Sequence, residues 1–203
     1  QSRAYDGPQS TGFEQATAIL VHGSQAIIEQ NTIAHARTGI TLVPTQKSAE
    51  GGQYHIISNT IARLSTHAIT ADGSIFMAQK PNVKIVIAGN QIDARGIGVM
   101  STYTEMQVSQ NTFGPSEVHA IFVNGIARVS ENVFRGANFD SIQLVEAPRV
   151  YIDDNLFEDN SGVIASLEYS LANRSPYPTG NICRGQPFGS FYKGAAHMVG
   201  YVD

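Results

Sequence analysis

Apolar and polar residues recur along this chain in one short phrase: an apolar residue, two polar or small ones, an asparagine, one further residue and a second apolar one. Copies centre on Asn31, Asn59, Asn90, Asn111, Asn132 and Asn155, with a degraded copy at Asn181-Ile182-Cys183. The asparagines are 28, 31, 21, 21, 23 and 26 residues apart, and a period in this range marks one structural unit stacked on itself. Three positions before the asparagine stand Ile28, Ile56, Ile87, Val108, Val129 and Ile152; five before stand Ala26, Tyr54, Ile85, Met106, Ala127 and Val150. Between them lies a mixed column of Ile27, His55, Val86, Gln107, Arg128 and Tyr151. This alternation predicts a strand with one face in the core. Two positions after the asparagine come Ile33, Ile61, Ile92, Phe113, Phe134 and Phe157, apolar throughout. The asparagine therefore marks a tight bend between two strands, a place it suits because it tolerates left-handed backbone and its amide bonds to neighbouring chain.

A further strand set follows each bend after a short connection: Thr38 to Leu42, His67 to Ala71, Arg95 to Val99, His119 to Val123 and Asp140 to Leu144, with Val163-Ile164 opening a looser copy. Thr17 to Gly23 is an N-terminal copy, preceded by Phe13 in the aromatic position and Thr11 in that of the asparagine. Three short strands per unit predict an all-β fold, a right-handed parallel β-helix of about eight turns with a ladder of stacked asparagines. The helix is expected over 1–169, with 170–203 as an irregular C-terminal turn and cap of the same domain. A propeller or sandwich would need hairpin turns between consecutive strands. Among the repeats such pairs occur at Asp72-Gly73 and Asn124-Gly125, both at one register of the unit.

On this repeat the chain resembles the pectate-lyase-like superfamily, in the style of polysaccharide lyases and phage tailspikes. The resemblance covers about Phe13 to Phe157, reaching toward Cys183. It implies a polysaccharide partner held along the outer face of one parallel sheet, between loop walls. It also implies an extracellular, cell-surface or virion setting.

Composition narrows the partners. With a net charge of −4 and no basic stripe, nucleic acid is excluded as a ligand class. No apolar run approaches the ~20 residues of a membrane helix. Gln1 to Thr11 is polar and turn-rich, so no signal peptide is expected there. No amphipathic segment is placed to cap the first turn, and the expectation is a piece of a larger polypeptide or a homotrimer whose partners cover the end. The single Cys183 excludes an internal disulfide and a cysteine-based zinc site; it stands where other units carry Ile or Phe, and reads as core.

Candidate chemistry follows from the repeat. Long connections over 43–53, 72–83 and 100–105 wall one sheet edge, and loops on a rigid scaffold carry function. A polar column Thr17, Thr38, His67, Arg95, His119 and Asp140 runs at the strand entry. His67, Arg95, His119 and Asp140 are the candidate catalytic set: arginine to hold a carboxylate, histidine to move a proton, aspartate to orient it. The same column equally reads as polar residues satisfying corner backbone. Substrate-binding candidates are Asp72, Lys80 and Glu105 from the walls, Phe122 on the strand face, and Asn124 and Glu146 at the strand exit. Paired carboxylates there would mean glycoside hydrolysis. No resident cofactor or metal is expected, with Ca²⁺ as the one candidate, at Asp153, Asp154, Glu158 and Asp159. Arg128, Tyr151 and Asp153 form a further sugar-binding spot or a cross-strand salt bridge under aromatic cover. Two functions remain: polysaccharide recognition or processing as lyase, glycoside hydrolase or epimerase, or a non-catalytic structural or receptor-binding β-helix in a fibre, adhesin or larger protein.

Overall fold

The computed structural model describes residues 17–45, 51–73, 83–147, 149–167, 180–185 and 192–193. Lys80, most of the two longer walls and most of the predicted C-terminal cap lie outside these residues. The strands form three sheets, each with only parallel pairing. Sheet A has eight strands, running in order from Thr17–Gly23 through Thr38–Pro44, His67–Asp72, Ile97–Thr102, Val118–Val123, Asp140–Val145 and Gly162–Leu167 to Tyr192–Lys193. Sheet B has six: Gln25–Glu29, Gln53–Ile57, Lys84–Ala88, Glu105–Ser109, Ile126–Ser130 and Arg149–Asp153. Sheet C has seven, from Thr32–Ala34 to Ile182–Arg184. The chain visits A, B and C in turn, and each pass pairs with the next as a rung of a right-handed parallel β-helix.

The core is the inward face of these sheets. Ile56, Ile87, Val108 and Val129 of sheet B are fully buried, as are Phe113, Phe134 and Phe157 of sheet C. The three phenylalanines stack, with centroids 4.7 Å and 5.0 Å apart, because one-rung register places each ring over the last. Between sheets B and C runs the asparagine ladder. Asn59, Asn90, Asn111, Asn132, Asn155 and Asn181 are buried. Each amide oxygen accepts from the backbone N–H and the Nδ2 of the preceding asparagine, as at Asn111, which takes both bonds from Asn90 at 2.9 Å. The Nδ2 groups also donate to backbone carbonyls such as Ile87 O and Ser109 O. The residue before the asparagine takes positive φ, for example Gln110 at 56° and Glu131 at 58°, so the bend is left-handed and its buried polar groups are bonded from rung to rung.

Candidate functional site

In sheet B, alternate residues point outward from a rigid, regularly spaced platform. Register places Lys84 beside Glu105 and Glu105 beside Ile126 in one outward column. A central column runs His55, Val86, Gln107, Arg128, Tyr151. A third runs Ile57, Ala88, Ser109, Ser130, Asp153. Between the first and the central column lies an open depression of about 420 Å³. It is lined by Lys84, Val86, Glu105, Gln107, Ile126, Arg128, Tyr151 and Asp153 together with strand backbone. Ile126 and Tyr151 are 39% and 40% exposed there, so apolar surface and polar groups face solvent together. Successive rungs lie about 4.8 Å apart, which sets Gln107, Arg128 and Tyr151 as a row of evenly spaced contacts.

The predicted catalytic set is not assembled. Register aligns His67 with Ile97, not with Arg95, and pairs Val118, not His119, with the Asp140 position. Arg95 is exposed in the connection before the strand. His119 is fully buried, with Nε2 3.1 Å from both Gly114 O and Arg135 O. Burial lowers its pKa to about 4, the two backbone bonds pulling the other way. His67 is half-buried, and burial, then the nearby Arg37 charge, lowers its pKa. Asp140 is buried at its own strand entry.

The substrate-binding candidates divide as well. Phe122 is 1% exposed and points into the core. Asn124 and Glu146 turn the corner from sheet A to sheet B with φ of 50° and 48°, and Asn124 Nδ2 donates to the Tyr103 hydroxyl at 3.2 Å. Asp72 ends its sheet A strand, exposed. Glu105 does line the depression, and so do Arg128, Tyr151 and Asp153 of the proposed sugar spot. The sequence alone does not point to Lys84, Gln107 or Ile126 as site residues, although the mixed column between two apolar ones is a signal that reaches Gln107. Glu105 and Asp153 are four residues (about 13 Å) and two rungs (about 10 Å) apart by strand geometry. That exceeds the about 5–9.5 Å that separates the carboxyls of glycosidase pairs.

In the acidic patch, Glu158 is bridged by arginines on either side, Arg135 Nε at 2.6 Å and Arg184 Nη1 at 3.6 Å. No group of three or more His, Cys, Asp or Glu able to hold a metal is formed among the described residues.

A solenoid of parallel strands with an open polar–apolar groove on one face defines the class: a β-helix protein. The chain belongs to the NosD family, whose model, described as periplasmic copper-binding protein, matches residues 8–174. That description places the family outside the cytoplasm. No curated protein and no solved structure matches the chain.

Copper favours thiolate, thioether and imidazole ligands that converge. Here His22, His35, His55 and His67 stand on different strands and corners. The His119 Nε2 is occupied by two carbonyls. Met106 is buried in sheet B, and burial pushes the Cys183 thiol up to about 12. The described residues do not fit a copper centre.

Proposed function

We propose that this chain is a carbohydrate-recognition β-helix acting outside the cytoplasm, which binds an extended saccharide across successive rungs of sheet B without cleaving it. The observation that carries this is the row Gln107, Arg128, Tyr151, in register on three adjacent strands and lining an open groove. A polymer with repeating hydroxyls meets repeating donors and acceptors there, while Tyr151 and Ile126 offer flat apolar surface to the sugar's C–H faces. The wide separation of Glu105 and Asp153 argues for binding rather than hydrolysis. In ligand class, though not in chemistry, the chain stays with the pectate-lyase-like and tailspike β-helices that its repeat resembles.

The test is binding to an array of neutral and acidic polysaccharides, with reducing ends and absorbance near 235 nm followed on every hit. We expect at least one hit, no product on either channel, and about tenfold weaker binding for Tyr151→Ala and Gln107→Ala. An empty array, or hits that ignore both substitutions, would overturn the reading.

A further inference from the structure

We infer that the sheet B groove takes an acidic saccharide, with the carboxylate of a uronic-acid unit seated on the guanidinium of Arg128. This rests on the saccharide reading above and gives it a ligand class. Three cations, Arg135, Arg184 and Lys84, each have a carboxylate neighbour. Arg135 and Arg184 both face Glu158. Lys84 and Glu105 are register partners of opposite charge at the groove's edge, within reach of each other across neighbouring strands. Arg128 differs. Its register partners are the neutral Gln107 and Tyr151, and two positions away along its strand stand Ile126, exposed, and Ser130, buried. Asp153, two residues beyond Tyr151 on the neighbouring strand and so diagonal to Arg128, has an interaction of its own. No hydrogen bond or ion pair engages the Arg128 guanidinium among the described residues.

An exposed guanidinium at a partly apolar groove is a planar fork for a planar oxyanion, and carboxylate matches it with two parallel bonds. The groups around it suit the rest of the sugar. The Gln107 amide can both donate to and accept from ring hydroxyls, and the Tyr151 hydroxyl can do the same. Glu105, one rung away, faces the groove with the opposite sign. It repels a second carboxylate at that rung, so it limits affinity for densely charged polymers and makes a selectivity filter. Removing Glu105 is therefore expected to strengthen binding, an effect that damage to the fold cannot mimic.

The experiment is titration calorimetry of the whole chain with oligomers of polygalacturonate and of hyaluronate, with the carboxyl-reduced form of each, and with dextran sulfate. The expected result is binding of an acidic oligomer about 10-fold or more tighter than of its reduced form. Arg128→Gln should remove that preference, Arg128→Lys should restore only part of it, and Glu105→Gln should tighten binding of the acidic form about 2- to 5-fold. Equal binding of acidic and reduced forms, wild-type behaviour of Arg128→Gln, or dextran sulfate binding as well as the uronates would overturn the acidic-sugar assignment while leaving saccharide recognition standing. Failure of every acidic and every reduced oligomer to bind would overturn the acidic-sugar assignment, and an empty polysaccharide array beside it would overturn saccharide recognition as well.

Discussion

The imidazole of His119 lies against the ring of Phe134, with centroids 5.4 Å apart and planes inclined by 29°. Its Nε2 meets two carbonyl oxygens, Gly114 O and Arg135 O, each at 3.1 Å. Two acceptors at one nitrogen place the ring proton there. Nδ1 is then a bare acceptor, buried with no hydrogen-bond partner. A second proton would put a charge among stacked aromatic rings, and burial accordingly holds the pKa down to about 4.

Acid should therefore weaken the fold through this residue. The folded pKa lies below the unfolded value of 6.5, so between the two the unfolded chain binds more protons than the folded one. The stability is fully present above pH 6.5 and is lost as pH falls toward 4. The difference between the folded and unfolded values corresponds to about 3 kcal/mol. Urea midpoints measured from pH 7.5 to 4 should fall for the wild type, and the fall should shrink in His119→Phe whatever that variant's stability at neutral pH. Parallel pH profiles for the two proteins would show that His119 is not the titrating group.

The ladder predicts a gradient of mutational cost. Asn111→Ala strips both acceptor bonds from Asn90 and leaves Ile87 O without its Nδ2 donor, all inside the core. With unsatisfied buried groups costing about 1–3 kcal/mol each, a loss of about 3–5 kcal/mol is expected. Asn31 stands at the exposed end of the row and donates to Asn59 Oδ1 at 2.9 Å and 3.1 Å. Asn31→Ala should cost about 1 kcal/mol, since water can replace what is lost. Equal losses at the two positions in urea unfolding would mean that the ladder does not act as a buried chain of bonds.

The fold was legible because two columns are nearly invariant in character: the asparagine and the Ile or Phe two residues later. Both lie in the tight bend between sheets B and C, where chain length per rung is fixed. The site was less legible because the passage from sheet C to sheet A varies in length. Aligning Ile97 and Ile121 with Ile69 follows hydropathy, whereas the structure aligns Val99 with Ile69 and with Ala120. The two rungs are thus displaced by two residues and by one. A one-residue slip exchanges the faces of a strand, which is why Phe122, read as outward, is core. Part of the variation is visible at Arg63, with φ 56°, where the pairing shifts register between Ile61 and Leu64. Ile97 and Ile121 mislead because they are apolar yet only partly buried. Sheet B needs no such correction, since it sits immediately before the asparagine; Arg128 and Tyr151 fall where counting back from Asn132 and Asn155 puts them.

Close packing beside His119 gives a third test. Gly98 is its register neighbour, and a Cβ there would lie 2.5 Å from His119 O and 2.9 Å from Phe113 Cδ1. The first contact is backbone and cannot yield without moving the rung. Gly98→Ala should destabilise by about 1–3 kcal/mol or more through overpacking. At Gly114 the nearest atom to such a Cβ is Asp93 Cβ at 3.6 Å, an ordinary contact. Gly114→Ala should be neutral or stabilising by up to about 1 kcal/mol, because it restricts the unfolded chain. Thermal midpoints that fall equally in both variants would contradict this packing.

Cys183 is the position at which a thiolate could carry the copper description of the family into this chain. The residue is in register with Phe157, at the end of the phenylalanine stack, and burial pushes its thiol up to about 12. At pH 8 it is therefore a neutral thiol, while both disulfide exchange and soft-metal ligation need the thiolate. An aromatic disulfide reagent at pH 8 should label native protein at least about tenfold more slowly than urea-unfolded protein. In competition with a chromogenic copper(I) chelator, Cys183→Ser should leave any copper retained by the chain unchanged. Rapid native labelling together with copper lost in Cys183→Ser would restore a thiolate centre at this position. Slow labelling with no effect of the substitution would leave Cys183 as a half-buried residue closing the phenylalanine stack.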